Sequence, residues 1–222
     1  MSKNKIMGAV FDMDGVLIDT EKLYVRFWKQ SAADFGYNMT DENVFGIRSL
    51  ARKFANVKLK EMFGEEFPCA EVREHRTELL DAYIAEHGIE IKKGLFTMLG
   101  YLREKGIKIA VATATPKERA VRKLEEIGAL PYFDVVVGGD MVHNGKPEPD
   151  IYLMAAAELG LSPENCAAFE DSPNGIKAAY SAGCHTVMIP DLTPPDEEIM
   201  TMLSAVYTSL DEAIGFFEDR RC

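Results

Sequence analysis

Acidic, hydroxyl and basic side chains follow four apolar segments that we predict to be β-strands. In chain order they are Asp12 and Asp14, Thr113, Lys146, and Glu170 and Asp171. Strands that alternate with helices form a parallel sheet, and ligands bind at the carboxyl ends of its strands. We therefore expect these side chains to meet at one edge of a sheet.

The chemistry available to such a group follows from its charges. Four carboxylates placed together repel one another strongly unless a cation lies among them. Oxygen ligands without histidine or cysteine favour Mg²⁺, and carboxylate-bound Mg²⁺ suits phosphoryl transfer. A carboxylate such as Asp12 can attack phosphorus, a second such as Asp14 can act as general acid and base, and Lys146 can offset negative charge. The sequence therefore predicts a magnesium-dependent phosphoryl-transfer enzyme.

Some of these residues also have simpler interpretations. Thr115-Pro116-Lys117-Glu118 has the pattern of a capping box, so we predict that Thr115 caps a helix and leaves Thr113 free for function. Lys146 alone would be interpreted as an exposed loop lysine. Segment 139–146 superficially resembles a P-loop, but the spacing is one residue too long and Pro147 follows the lysine.

The order of the apolar patterns predicts the elements that position these residues. Strand patterns cover 6–13, 107–112, 135–137, 166–169, 185–189 and 205–208. Helical patterns cover 20–36, a segment from 41 that Thr40 caps, and 150–160 and 173–183. A long helical stretch to Gly88, broken at Gly64 and Pro68, interrupts the alternation directly after the first strand.

These patterns predict an α/β fold with two parts. One part is a doubly wound parallel-sheet (Rossmann-like) core formed by residues 1–19 and 89–222. The other is an inserted helical-bundle cap domain formed by residues 20–88.

The composition excludes several other kinds of protein. The net charge of −11, without clustered lysine and arginine, argues against a nucleic-acid partner. No stretch is apolar enough to span a membrane, and the N-terminus has no signal-peptide pattern, so we expect a cytoplasmic protein. The four cysteines lack zinc-site spacing, and we interpret them as reduced thiols.

Four motifs resemble those of the haloacid dehalogenase-like superfamily, and they occur in the same order. They are Phe11-Asp12-Met13-Asp14-Gly15-Val16-Leu17, Thr113, Lys146-Pro147, and Glu170-Asp171-Ser172. The sequences around Lys146 and Glu170 are similar to those of the β-phosphoglucomutase-like branch. The resemblance covers nearly the whole chain and identifies segment 20–88 with the helical cap of that family.

The resemblance implies a role for each position. It makes Asp12 the nucleophile, and it makes Asp14 the general acid and base, with a backbone carbonyl that binds the metal. Thr113 and the N–H of Ala114 would hold the phosphoryl group, and Lys146 would orient Asp12.

The remaining implied roles concern Mg²⁺ and the substrate. Asp171 would bind Mg²⁺ directly and Glu170 directly or through water, with Ser172 and Asn174 supporting this loop. In the cap, Arg48 is the first candidate for substrate binding, followed by Tyr24, Arg76, Lys92 and Lys93. For each of these cap residues an exposed structural role is the alternative.

The motifs leave three functions open. A phosphatase that acts on a small phosphomonoester, such as a sugar phosphate, is the first. A phosphosugar mutase of the β-phosphoglucomutase type is the second, although this sequence has Tyr24 where such mutases place a histidine. A non-catalytic protein that binds a phosphorylated ligand is the third. We expect a monomer whose partner is a small phosphorylated metabolite.

Overall fold

The computed structural model describes residues 5–218, which contain a single six-stranded sheet with helices around it. The strands are Gly8–Phe11 (β1), Lys108–Thr113 (β2), Val135–Gly138 (β3), Cys166–Glu170 (β4), His185–Met188 (β5) and Ala205–Val206 (β6). The helices before β2 are Glu21–Asp34 (α1), Asp41–Ile47 (α2), Arg52–Phe63 (α3), Cys69–His87 (α4) and Leu95–Glu104 (α5). The later helices are Lys117–Glu126 (α6), Asp150–Glu158 (α7), Pro173–Ser181 (α8), Glu197–Met202 (α9) and Gly215–Glu218 (α10).

All five strand pairings are parallel, and the strand order is β3-β2-β1-β4-β5-β6. This is a doubly wound order, in which the direction of strand addition across the sheet reverses between β1 and β4. The predicted α/β fold class is therefore confirmed. The reversal leaves a crevice at the carboxyl end of β1, directly beside Asp12.

The strands are apolar on both faces because helices cover both faces. Val10 contributes to one hydrophobic cluster with α7 and α8, whereas its neighbour Phe11 contributes to the other, with α5 and α6. On that second side the rings of Phe11 and Phe169 stack with centroids 4.6 Å apart. Strand β1 is therefore clamped between two cores, which fixes the position of the residues that follow it.

Helices α1 to α4 bury their apolar faces mainly against one another. Trp28, Leu59 and Phe67 are members of one hydrophobic cluster, and Phe27 and Leu80 are members of a second. The predicted cap at Thr40 is confirmed, because its side chain accepts a hydrogen bond from the N–H of Asn43. The division of the chain into 1–19, 20–88 and 89–222 stays a prediction that this packing supports.

The chain passes between the sheet and these helices along two adjacent segments. The N–H of Asp19 donates to the carbonyl of Glu90 at 2.7 Å, and that of Lys92 donates to the carbonyl of Leu17 at 3.0 Å. Gly94 follows with a φ of +84°, and a Cβ there would lie 2.3 Å from the backbone nitrogen of Asp211. Only glycine fits this turn, which begins α5.

Three helices, α5, α9 and α10, have no counterpart among the predicted elements. In α5 the buried residues are Leu95, Met98, Leu99 and Leu102, which recur at helical spacing. Cys69, Cys166 and Cys184 are free thiols, and Cys222 lies outside the described residues. Between residues 5 and 218, no helix combines the length and the apolar character needed to cross a membrane.

Candidate active site

Four strand ends bring the predicted site residues to one buried place. Asp12 directly follows β1, Thr113 is the last residue of β2, and Glu170 is the last residue of β4. Lys146 reaches the same place from the loop after β3. Asp12 is 3% exposed, Lys146 1% and Glu170 0%. Buried charges are costly unless they are paired, so their convergence indicates a built site.

Lys146 is the cation that links the carboxylates. Its Nζ donates to Oδ1 of Asp12 and to Oε1 of Glu170, both at 2.6 Å. Tyr152 also donates its hydroxyl hydrogen bond to Glu170. Burial alone would lower the pKa of Lys146, but Asp12 and Glu170 raise it well above its ordinary value. Lys146 is therefore held in its charged form against the side chain of Asp12.

The single positive charge of Lys146 does not neutralise the three carboxylates at this site. Carboxylate oxygens of Asp12, Glu170 and Asp171 lie within 4.8 Å of one another. Burial raises the pKa of Asp12 and outweighs the charge of Lys146, and Glu170 and Asp171 raise it further. The three carboxylates therefore favour the arrival of another cation.

Asp171 provides the clearest sign of where that cation would bind. Both of its carboxylate oxygens are buried, and neither has a hydrogen-bond partner among residues 5–218. Burial raises its pKa well above the ordinary value, and the charge of Glu21 adds to the effect. Nη2 of Arg48 lies 3.8 Å from Oδ2, and its charge only partly opposes this shift. A buried carboxylate without hydrogen-bond donors beside Asp12 and Glu170 fits a hard divalent cation such as Mg²⁺.

Asp14 lies beside this group and has different partners. Its carboxylate accepts hydrogen bonds from Thr20 at 2.6 Å, from Thr115 at 2.9 Å and from Nζ of Lys123 at 2.9 Å. Burial opposes ionisation, but the charge of Lys123 and these hydrogen bonds lower the pKa of Asp14. The lowered pKa makes the carboxylate the resting form of Asp14, stabilised by donors from the N-cap of α1, from α6 and from the loop before α6.

The predicted capping role of Thr115 is wrong. Helix α6 begins at Lys117, with Pro116 as the N-cap residue in an extended conformation (ψ 143°). This conformation moves the helix start beyond the reach of Thr115, whose hydroxyl donates to Asp14 instead. The carboxylate of Asp140 accepts the hydrogen bond from the N–H of Lys117. Thr113 is not free either, since its hydroxyl accepts from the N–H of Thr115 at 3.1 Å.

Ser172 and Asn174 join the loop after β4 to its surroundings. The hydroxyl of Ser172 accepts from the N–H of Gly175 at 3.1 Å and caps α8, and it donates to Glu170 at 3.4 Å. The amide of Asn174 donates to the carbonyl of Arg48 at 2.9 Å. Both residues contact this loop or its neighbours, and their role in supporting a metal site stays a prediction.

Arg48 is buried rather than exposed, and it contacts the loop that carries Asp171. Its Nη2 donates to the carbonyl of Asp171 at 2.9 Å and to the hydroxyl of Thr193 at 3.0 Å. Its Nε lies 3.9 Å from Oε2 of Glu21. Arg48 also lines the cavity described next, so the proposed contact with substrate stays a prediction.

A cavity of about 970 Å³ lies between the sheet edge and helices α1 to α4. Among the predicted residues, Asp12, Asp14, Thr113, Ala114, Lys146, Arg48, Tyr24 and Arg76 line it. Lys92 and Lys93 are not part of this lining. Lys92 donates to Asp191 at 2.9 Å, and Lys93 lies 3.7 Å from Asp211.

Four residues of the site were not predicted: Glu21, Arg73, Lys123 and Tyr152. Glu21 is buried beside Asp14 and Arg48, and burial raises its pKa to about 8 against the charge of Arg48. Its position next to Thr20, directly after the first-strand motif, was the available signal. Lys123 lies in the helix-forming sequence of α6, where no local pattern distinguishes it from an exposed lysine.

The fold and the site define the chain as an α/β enzyme with an acidic centre at the carboxyl edge of a parallel sheet. Residues 6–183 match the family model of the haloacid dehalogenase-like hydrolases. The chain therefore belongs to the haloacid dehalogenase-like hydrolase family, as the sequence motifs indicated.

Two relatives and one solved structure illustrate the similarity. The phosphorylated carbohydrates phosphatase of Thermotoga maritima is 35% identical over 185 residues, covering 81% of this chain and 82% of the relative. Hexitol phosphatase A of Escherichia coli is 33% identical over 212 residues, covering 92% of each. The crystal structure of CbbY from Rhodobacter sphaeroides in complex with phosphate has a TM-score of 0.77 and 28% identity, covering 94% of this chain and 96% of that chain.

Proposed function

We propose that this protein is a magnesium-dependent phosphatase that uses Asp12 as its nucleophile. One observation carries the proposal: Lys146 fixes Asp12 next to Asp171, whose two buried oxygens accept no hydrogen bond from the described residues. Asp12, Glu170 and Asp171 would hold Mg²⁺, together with the backbone carbonyl of Asp14. When bound, the ion would neutralise charge on the phosphoryl oxygens.

The chain's own residues account for both halves of the reaction. A carboxylate oxygen of Asp12 forms a bond to phosphorus as the ester P–O bond breaks, and the protonated form of Asp14 gives its proton to the leaving oxygen. Asp14 then takes a proton from water, the water oxygen attacks phosphorus, and phosphate leaves Asp12 free. Lys146, Thr113 and the N–H of Ala114 stabilise the transferring group.

The substrate class follows from the relatives and the cavity. Both curated relatives are named as phosphatases of phosphorylated carbohydrates or hexitols. A cavity of about 970 Å³ with helices along its walls is large enough for a sugar phosphate. We therefore propose a small phosphorylated sugar or polyol as substrate. A monomeric, cytoplasmic protein remains the accompanying prediction.

The mutase alternative differs in the acceptor of the phosphoryl group. Tyr24 occupies the position of the mutase histidine, and its hydroxyl accepts a hydrogen bond from Lys123 at 3.4 Å. No contact of the described residues favours a second sugar hydroxyl over water as acceptor. Hydrolysis is therefore the better supported outcome, and a non-catalytic protein is the least supported, because every catalytic position is filled.

The test is phosphate release from a panel of sugar phosphates, with and without Mg²⁺. We expect hydrolysis that requires Mg²⁺ and falls about 10³-fold or more in Asp12→Asn. Incubation with β-glucose 1-phosphate separates the alternatives, because a mutase yields glucose 6-phosphate and a phosphatase yields free phosphate. Full activity in Asp12→Asn would refute the nucleophile assignment.

A further inference from the structure

Two arginines of α4 share an aromatic platform on the wall of the cavity. Arg73 and Arg76 lie one helical turn apart, and their guanidinium carbons lie 5.5 and 5.0 Å from the ring centroid of Trp28. The guanidinium of Arg76 also lies 4.8 Å from the ring centroid of Tyr24. Both arginines line the cavity that contains Asp12. The aromatic rings hold the two cations in fixed positions that face the site.

Neither arginine has a carboxylate within 4.0 Å in the part of the chain that the structure describes. Arg73 donates to the carbonyl of Cys69 at 3.3 Å, and Nε of Arg76 is buried without a hydrogen-bond partner among residues 5–218. Arg119 also lines this cavity, but it forms a bidentate ion pair with Asp81, with N···O distances of 2.8 and 2.6 Å. Arg73 and Arg76 therefore have unused hydrogen-bonding capacity for an anion.

Their charges make this arrangement unfavourable without an anion. Burial lowers the pKa of Arg73 to about 10, and the neighbouring charges of Arg52 and Arg76 add to the effect. Burial also lowers the pKa of Arg76, and the interactions with Tyr24 and Asp14 only partly oppose this shift. Desolvated like charges side by side are costly, and an anionic ligand removes the cost.

We propose that Arg73 and Arg76 form a subsite for a second anionic group of the substrate. The substrate would then be a phosphomonoester that also carries another phosphate or a carboxylate. Asp12, Lys146 and Thr113 would receive the transferred phosphoryl group, and the two arginines would bind the other anion in the same cavity. This inference rests on the proposed phosphatase function and narrows its substrate class.

The binding test uses the full-length Asp12→Asn protein with Mg²⁺, so that no substrate is consumed. Calorimetry compares two matched pairs of probes: fructose 1,6-bisphosphate with fructose 6-phosphate, and 3-phosphoglycerate with glycerol 3-phosphate. We expect the doubly anionic member of at least one pair to bind about 10- to 100-fold more tightly, as for one charge-assisted hydrogen bond. The preferred pair distinguishes a phosphate from a carboxylate. Equal affinities within both pairs would overturn the proposal.

Substitutions assign the preference to these residues. Adding Arg73→Gln or Arg76→Gln should reduce the preference about tenfold or more, chiefly through the doubly anionic probe. Arg26→Gln is the matched control, because Arg26 is exposed, lies 5.1 Å from the Phe27 ring centroid and is outside the cavity lining. A preference that survives in the Arg73→Gln, Arg76→Gln double variant would contradict the subsite.

A second readout separates ligand binding from simple packing. Arg76→Met keeps much of the side-chain length and removes a desolvated charge, so we expect the melting temperature to stay the same or rise. A drop in melting temperature would indicate that Arg76 mainly packs against Trp28 and would count against the proposal. Hydrolysis of both probe types at equal rates by the wild type would overturn only this inference, whereas activity of Asp12→Asn would refute the phosphatase proposal itself.

Discussion

Asp14 is held in place by hydrogen bonds from side chains of three different segments. Three side chains donate to its carboxylate, and two of them, Thr20 and Thr115, are neutral. The third, Lys123, is itself buried and charged, and it also donates to Tyr24. Lys123 is not part of the cavity lining, so we assign it the role of a positioning residue for Asp14.

Lys123→Met should therefore impair the chemical step more than substrate binding. Asp14 would lose its only charged donor among the described residues, and its orientation would become less defined. We expect kcat to fall about 10- to 100-fold and KM to change about threefold or less. The loss in kcat is smaller than the full contribution of a general acid and base, because Asp14 itself remains. Steady-state kinetics on one sugar phosphate measure both quantities.

Arg122→Met is the control for this variant, because Arg122 is the exposed neighbour on the same helix. It should leave kcat and KM near the wild-type values. A Lys123→Met protein with wild-type kcat and a normal melting temperature would contradict the positioning role.

The three clustered carboxylates predict how Mg²⁺ affects stability. A ligand that binds only the folded state stabilises it, so saturating Mg²⁺ should raise the melting temperature by about 5–10 °C. Asp171→Asn should lose most of this increase. Without Mg²⁺ the same variant should melt at or above the wild-type temperature, since it removes a buried charge that accepts no hydrogen bond and lies 3.8 Å from its nearest cation, Arg48. Thermal unfolding with Mg²⁺ and with a chelator measures these effects.

Glu126→Gln provides the comparison for a carboxylate removed elsewhere, because Glu126 is exposed on α6. Its response to Mg²⁺ should equal that of the wild type. If Asp171→Asn kept the full response to Mg²⁺, the assignment of the metal to this cluster would be wrong.

At the scale of elements, α4 serves both the packing of the helices and the site. One side of α4 presents Arg73 and Arg76 to the cavity, while His75 bonds to Asp34 at the end of α1 at 2.9 Å. The hydrogen bond to Asp34 raises the pKa of His75. The ion pair between His75 of α4 and Asp34 of α1 is therefore sensitive to pH.

The sign of this effect follows from the raised pKa. The folded protein holds the proton of His75 more tightly than the unfolded chain does. The contribution to stability is therefore complete below the unfolded pKa of about 6.5, and it is lost as the pH rises through the higher folded value. Asp34→Asn should move the pKa of His75 back toward about 6.5, as an NMR titration can measure. An unchanged pKa in that variant would show that Asp34 is not the cause.

The elements that could be predicted from the sequence are those with a strong local pattern. The apolar runs gave β1, β2 and β4, and the Thr40 cap gave the start of α2, because these signals act within a few residues. Thr115 was misassigned because its hydroxyl is recruited by Asp14, a contact 101 residues away in sequence. Lys123 and Arg73 were missed for the same reason, since their environment comes from distant elements.

At the scale of the whole molecule, the site is complete only where the sheet edge and helices α1 to α4 meet. The N–H of Ala51 donates to the carbonyl of Lys146 at 2.9 Å, and Arg48 reaches the carbonyl of Asp171. The sheet supplies the reacting groups, and the helices supply the walls that would select a substrate. The motifs predicted the first part, but the second depends on packing that no motif encodes.

The central claim is that Asp12 receives the phosphoryl group, and acid quenching of the enzyme during turnover tests it most directly. The quenched protein is digested with trypsin, and the peptide of residues 6–22 is analysed by fragmentation mass spectrometry. We predict that this peptide gains the mass of one phosphoryl group at Asp12, and that Asp12→Asn shows no such gain. A phosphoryl group found on another residue, or none found under single-turnover conditions in which phosphate is released, would contradict the account.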